Sequence, residues 1–74
     1  MLERIAEILK ANGIEFTSPL KKSTELVADL NLNSFNIIEL ASVLEDEFGV
    51  EIPDRSIKDM KTIGDVIDLI ESLQ

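Results

Sequence analysis

One side chain stands out as a candidate for chemistry. Ser34 lies in Leu30-Asn31-Leu32-Asn33-Ser34-Phe35-Asn36-Ile37-Ile38-Glu39-Leu40, where a polar turn opens into the longest amphipathic run of the sequence. A serine hydroxyl becomes a nucleophile only when a base takes its proton. The 74-residue chain has no histidine and no cysteine, so the usual base, proton shuttle and thiolate are all missing. Ser-His and Cys-His catalysis within the chain are thereby excluded, as are disulfides and thiolate metal sites. The Ser34 hydroxyl is either activated by another protein or simply begins a helix.

A second arrangement looks chemical and is not. Asp29-x-Asn31-x-Asn33 matches the first three ligand positions of an EF-hand calcium loop. The sixth position of that loop calls for glycine and holds Ser34; the twelfth calls for a bidentate glutamate and holds Leu40. No dedicated calcium site is expected.

Charge is unevenly placed. Between Ser23 and Asp54 there is no lysine or arginine, while Glu25, Asp29, Glu39, Glu45, Asp46, Glu47, Glu51 and Asp54 all fall inside. These acids account for the whole net charge of −8. Such a surface repels nucleic acid, whose binding needs clustered basic residues, and rules against a small nucleic-acid-binding or regulatory domain. It attracts basic patches on other proteins; the plainer alternative is a solvated face that keeps the chain soluble. No apolar run approaches the ~18–20 residues of a membrane span, and Met1-Leu2-Glu3-Arg4 lacks a signal-peptide pattern. A cytoplasmic, monomeric protein formed by one domain over residues 1–74 is expected.

The elements that must position Ser34 follow from periodicity. Leu2, Ile5, Ala6 and Leu9 form one apolar stripe of a helix over about 2–12, closed by Asn12-Gly13. A connection of roughly twenty residues follows, long enough to imply a functional or well-packed loop. Ser23-Thr24-Glu25 can start a short helical turn there, and Ile14, Phe16, Leu20, Leu26, Leu30 and Leu32 anchor the loop. A second helix is predicted over 34–48 with Asn33 as N-cap. Its core arc is Ile37, Leu40, Ala41, Leu44 and Phe48, with Phe35, Glu39, Ser42 and Asp46 opposite. Val50-Glu51-Ile52-Pro53 is extended, and Asp54 is expected to cap a short helix through about Met60. A last helix starts at Thr62, with Asp65 in a capping-box spacing and Ile63, Val66, Ile67, Ile70 and Leu73 as its stripe. The fold class is all-α: a small bundle of three main helices and one short one, with an aliphatic core.

Asp29-Leu30 through Leu40, followed by Leu44-Glu45-Asp46-Glu47-Phe48-Gly49-Val50-Glu51-Ile52-Pro53-Asp54, resembles the acyl carrier protein family. That family's pattern is Asp-Leu, a short turn, Asp-Ser-Leu, a helix with Glu and Leu, an acidic triplet, then Phe and Ile-Pro; the likeness runs the length of the chain. The resemblance implies a carrier and not an enzyme. It makes Ser34 the covalent attachment site of 4'-phosphopantetheine, transferred from coenzyme A by a separate phosphopantetheinyl transferase. The thiol of that group would carry acyl groups as thioesters between enzymes of fatty-acid, polyketide or a specialised biosynthesis. A chain without cysteine needs such an added thiol, and one without histidine needs an outside base. An acyl chain would find shelter between aliphatic helices. By position, Asn33, Phe35, Asn36, Glu39, Ser42 and Asp46 would meet the transferase and acyl-activating, condensing and other acyl-processing enzymes through their basic docking patches.

Three positions depart from the family pattern. Asn33 stands for the aspartate before the serine, Phe35 for the leucine after it, and Asn36 for a second aspartate. Two acids at transferase-contacting positions have thus lost their charge, which points to a dedicated transferase or a specialised pathway. The alternative is a carrier-like adaptor that binds partners without ever taking the prosthetic group.

Overall fold

The first helix, α1, runs from Leu2 to Ala11 in a computed structural model that describes residues 1–74. It is one residue shorter than its apolar pattern suggests, because Asn12 leaves the helix and Gly13 takes φ +81°. That left-handed turn lets the Ile14 N–H donate to the Leu9 carbonyl at 3.0 Å and the Gly13 N–H to that of Lys10 at 3.1 Å. These are the two closing bonds of a Schellman motif, which satisfy carbonyls that the helix end leaves free. Ile5, Ile8 and Leu9 are buried, so the stripe is wider than sequence spacing indicated. Leu2 and Ala6 are half-buried.

The long loop is ordered. Leu26, Leu30 and Leu32 are buried, with Ile14, Phe16 and Leu20 packed on the core from outside. The predicted helical turn is instead a single closed turn over 25–30. Glu25 O accepts from the Asp29 and Leu30 N–H groups at 3.0 and 3.1 Å, and Asp29 Oδ2 takes the Glu25 N–H at 2.7 Å. Asn31 follows with φ +59°, a conformation that asparagine tolerates better than most residues. The loop is then stitched to the segment that precedes the last helix. Leu26 N–H donates to Lys61 O at 2.9 Å, Ile63 N–H to Thr24 O at 2.9 Å and Gly64 N–H to Lys22 O at 2.8 Å. An isolated antiparallel bridge between Glu25 and Thr62 lies among them. Gly64 permits this approach, since a Cβ there would sit 3.0 Å from the Lys22 carbonyl oxygen.

Helix α2 spans Ser34–Phe48 and ends at Gly49, which has φ +65°. Helix α3 spans Asp54–Asp59. Its N-cap position is Pro53 and not Asp54, which makes no capping bond. The extended Pro53 (φ −63°, ψ 145°) already presents its carbonyl to the Ser56 and Ile57 N–H groups at 2.9 and 3.2 Å. Asp54 therefore contributes only a negative charge in the first turn. Helix α4 spans Ile63–Leu73 with Thr62 as its cap. Thr62 Oγ1 accepts from the Asp65 N–H, while Asp65 Oδ2 accepts from the Thr62 and Lys61 N–H groups, all at 3.0–3.1 Å. Backbone donation from Lys61 is the main reason the Asp65 carboxyl is held below the usual range; Thr62 adds to it against a partial loss of solvent.

Fifteen side chains are buried, all apolar, with no buried polar or charged residue. From α2 they are Leu40, Ala41 and Leu44; from α4, Ile63, Val66, Ile67 and Ile70. Leu73, the last residue of the predicted α4 stripe, is exposed instead. The core is aliphatic, as the composition indicated. Phe48 and Phe16 are half-buried at its edge, under the cations of Arg4 at 5.5 Å and Lys10 at 5.4 Å. Fold and element order thus agree with the sequence reading: four helices and no strand, with Ser34 as the first residue of the longest helix.

Candidate functional site

The start of α2 is held by two asparagines. Asn33 Oδ1 accepts the Asn36 N–H at 2.9 Å, and Asn36 Oδ1 accepts the Asn33 N–H at 3.2 Å. This is a reciprocal capping box built from amides. Asn33 was legible as a cap. The second half of the box was not recognised, although Asn33 and Asn36 have the same spacing as Thr62 and Asp65. Both amide oxygens are thereby committed to the backbone.

Ser34 sits inside this bracket, exposed, and its hydroxyl makes no hydrogen bond within the protein. The N–H groups of Ser34 and Phe35 also have no acceptor. Free N–H groups at a helix start, together with the helix dipole, favour an anion bonded there. No acidic side chain occupies this first turn.

Beside Ser34 runs a groove of about 680 Å³ between the 25–28 turn, the start of α2 and α3. Val27, Ala28, Ile37, Ile38, Ile57 and Met60 supply its apolar lining, with Glu25, Lys58 and Lys61 as charged members. Ser34 is the only hydroxyl on that lining. Two of the lining residues are large apolar side chains left in water: Val27 is 60% exposed and Ile38 54%. Ile38 was missed at the sequence level. The i, i+4 relation to Ser34 was the available signal, because it places both on one side of the helix.

The predicted partner face is accessible. Phe35 is 66% exposed, and Glu39, Ser42 and Asp46 are exposed on the side of α2 away from the core. The acidic triplet, in contrast, divides by role. Glu45 Oε2 accepts the Ile52 N–H at 2.7 Å and so fixes the chain after α2. Glu47 pairs with Arg4 at 3.1 Å, the one ion pair in the protein. Asp46 alone keeps its carboxylate free. The three residues of the calcium-like spacing are likewise accounted for: Asp29 closes a turn, Asn31 makes a bend and Asn33 caps α2. No group of three acidic residues is placed to hold a metal ion.

Residues 1–70 match the family model described as "Phosphopantetheine attachment site". The chain is 37% identical over 71 residues to an acyl carrier protein of Thermobifida fusca, covering 96% of this chain and 90% of that one. The chain belongs to the acyl carrier protein family. A meromycolate extension acyl carrier protein of Mycobacterium leprae is 38% identical over 71 residues; the match covers 95% of this chain and 61% of that relative's length. In fold, the carrier matches the crystal structure of an acyl carrier protein from Thermotoga maritima with a TM-score of 0.85 at 24% identity, over 96% of this chain and 82% of the other.

As a member of this family the protein is a carrier and not an enzyme, with covalently attached phosphopantetheine as its prosthetic group. It works with a transferase and with acyl-processing enzymes. The residues at the start of α2 fit such a group. The exposed, unengaged Ser34 hydroxyl, the two free N–H groups of Ser34 and Phe35 and the adjoining apolar groove are chemically compatible with it. No helix of the carrier is long and apolar enough to cross a membrane.

Proposed function

We propose that Ser34 is the residue that bears the phosphopantetheine arm and that residues 1–74 form one carrier domain around it. The observation that carries this reading is the position of Ser34: it is the only hydroxyl bordering the apolar groove, exposed and free of internal hydrogen bonds. With no histidine in the chain, the base that takes the Ser34 proton belongs to the transferase. The chain's own part is to present the oxygen at the end of a capped helix and to offer free N–H groups to the phosphate.

The same reading gives α2 a docking face. Phe35, Glu39, Ser42 and Asp46 are its exposed residues, with Asn33 and Asn36 at its upper edge. Asp46 and Glu39 attract the basic patches of acyl-activating, condensing and other acyl-processing enzymes, and Phe35 supplies apolar contact beside the serine. The cargo is an acyl group in fatty-acid, polyketide or a more specialised biosynthesis. The uncharged Asn33 and Asn36 favour the specialised case, since they weaken the attraction of this end of α2 for a basic partner.

Intact-mass measurement after incubation with coenzyme A and a panel of transferases tests the assignment. The wild-type chain should gain the mass of phosphopantetheine, and Ser34→Ala should gain none while keeping its helical content. A gain retained in Ser34→Ala means that another hydroxyl is used. No gain with any transferase, while a control carrier is loaded, favours the adaptor that binds partners without a prosthetic group.

A further inference from the structure

The groove beside Ser34 has one feature that a shelter for apolar cargo does not need. Lys58 and Lys61 both border it. In a chain with seven basic and fifteen acidic residues, two exposed lysines line the same groove as Ser34. Neither is in an ion pair, because the one ion pair of the protein joins Arg4 to Glu47. Glu25 also borders the groove and is not within bonding distance of either lysine. Glu25 instead anchors the turn through its backbone groups.

We propose that Lys58 and Lys61 form a cationic rim that binds the phosphodiester of the arm and lays the arm along the Val27–Ile38–Ile57 wall when no partner is docked. This rests on Ser34 bearing the arm. A phosphodiester on Ser34 brings a negative charge onto a chain already at −8, and self-repulsion favours the nearest unpaired cations. A groove of about 680 Å³ that contains Ser34, Lys58 and Lys61 in one lining puts both ammonium groups within side-chain reach of its interior. The rim is well fixed at one end. The Lys61 N–H donates to Asp65 and the Lys61 carbonyl accepts from Leu26, so its backbone is tied on both sides, while its ammonium makes no ion pair and acts on the Asp65 carboxylate only from a distance. A charge–phosphate contact at an exposed site is salt-sensitive, which makes it measurable.

The experiment compares apo and holo forms of the full chain, with loading verified by intact mass. At low ionic strength the holo form should melt a few degrees above the apo form, and about 0.5 M NaCl should remove most of that difference through screening. Lys58→Gln with Lys61→Gln should abolish the salt-sensitive part and shift the phosphorus-31 resonance of the arm toward that of the same phosphodiester on the urea-unfolded holo chain. Lys21→Gln with Lys22→Gln, an equal change of net charge outside the groove, should leave both readouts as in wild type. A phosphorus resonance and a holo–apo difference unmoved by the Lys58/Lys61 pair overturn the proposal, as does an equal effect of the Lys21/Lys22 pair. Absence of the mass gain with any transferase, while a control carrier is loaded, overturns the reading on which this rests and is thus a separate result. Where the double substitution lowers the apo melting temperature, Lys58→Arg with Lys61→Arg supplies the check: the charge is kept, and the holo–apo difference should be restored.

Discussion

Replacing Asn33 separates the structural and the electrostatic parts of the site. In Asn33→Ala the Asn36 N–H loses its acceptor at 2.9 Å, while the Asn33 N–H keeps its bond to Asn36 Oδ1 because that donor is backbone. One of two capping bonds is lost, at a helix start with no acidic residue to compensate. Loss of an asparagine cap to alanine costs about 1 kcal/mol. For a domain of this length that corresponds to a melting temperature lower by roughly 4–8 °C. Asn33→Asp keeps an acceptor in place and adds a charge that the helix dipole favours by about 0.3–1 kcal/mol. Part of that gain is offset by repulsion within a chain of net charge −8. The two variants should therefore shift in opposite directions, the alanine form down and the aspartate form up by a smaller amount. Thermal unfolding followed by circular dichroism at neutral pH gives the shifts, and hydrogen exchange at residues 34–37 reports whether the loss is local. If Asn33→Ala melts within about a degree of wild type, the amide box does not hold the serine, and packing through Leu32 and Leu40 must do so. Asn33→Asp should also speed modification by a general transferase, and an unaltered rate would show that the missing charge is no obstacle.

Two further outcomes are open to direct measurement. Asp46→Lys should weaken binding to a basic acyl-processing partner several-fold, with a smaller salt dependence; Glu47→Lys should cost less binding and more stability, since Glu47 is engaged with Arg4. Equal effects of the two on binding would contradict the division of the acidic triplet. The Asp65 carboxyl is depressed in the folded chain, so the stability it contributes is complete above the unfolded value of about 3.9 and is lost as pH falls through the folded one. Asp65→Asn should thus melt below wild type at neutral pH, and the gap should close in the acid range below about pH 4; a gap independent of pH would mean that the charge does not matter.

Most of the architecture was legible because it is local. Apolar spacing defined α1, α2 and α4, and side-chain chemistry located the caps at Asn33 and Thr62. What escaped depended on the chain folding back on itself. The loop-to-α4 bonds from Leu26, Ile63 and Gly64 join segments about forty residues apart, and nothing in either segment announces the other. For the same reason the separate fates of Glu45, Asp46 and Glu47 were hidden: one faces Ile52, one faces Arg4 and one faces solvent. At the site, the serine and the face of Phe35, Glu39, Ser42 and Asp46 were readable from helical periodicity. The groove was not, since three elements that are distant in sequence contribute its walls. Ile38 had a signal in its i, i+4 relation to Ser34, whereas Val27, in the loop, could be recognised as exposed only once those walls were in place.

The two boxes that begin α2 and α4 share a spacing but differ in their acceptors. Thr62 and Asp65 include a carboxylate, so acid weakens the start of α4 and, with it, the joint that secures the Leu26 turn. Asn33 and Asn36 have no titratable group, and their mutual bonds are the same at pH 3 as at pH 8. Acidification therefore loosens one wall of the groove before it disturbs the serine. The bracket around Ser34 is blind to protons, while the surface around it is not.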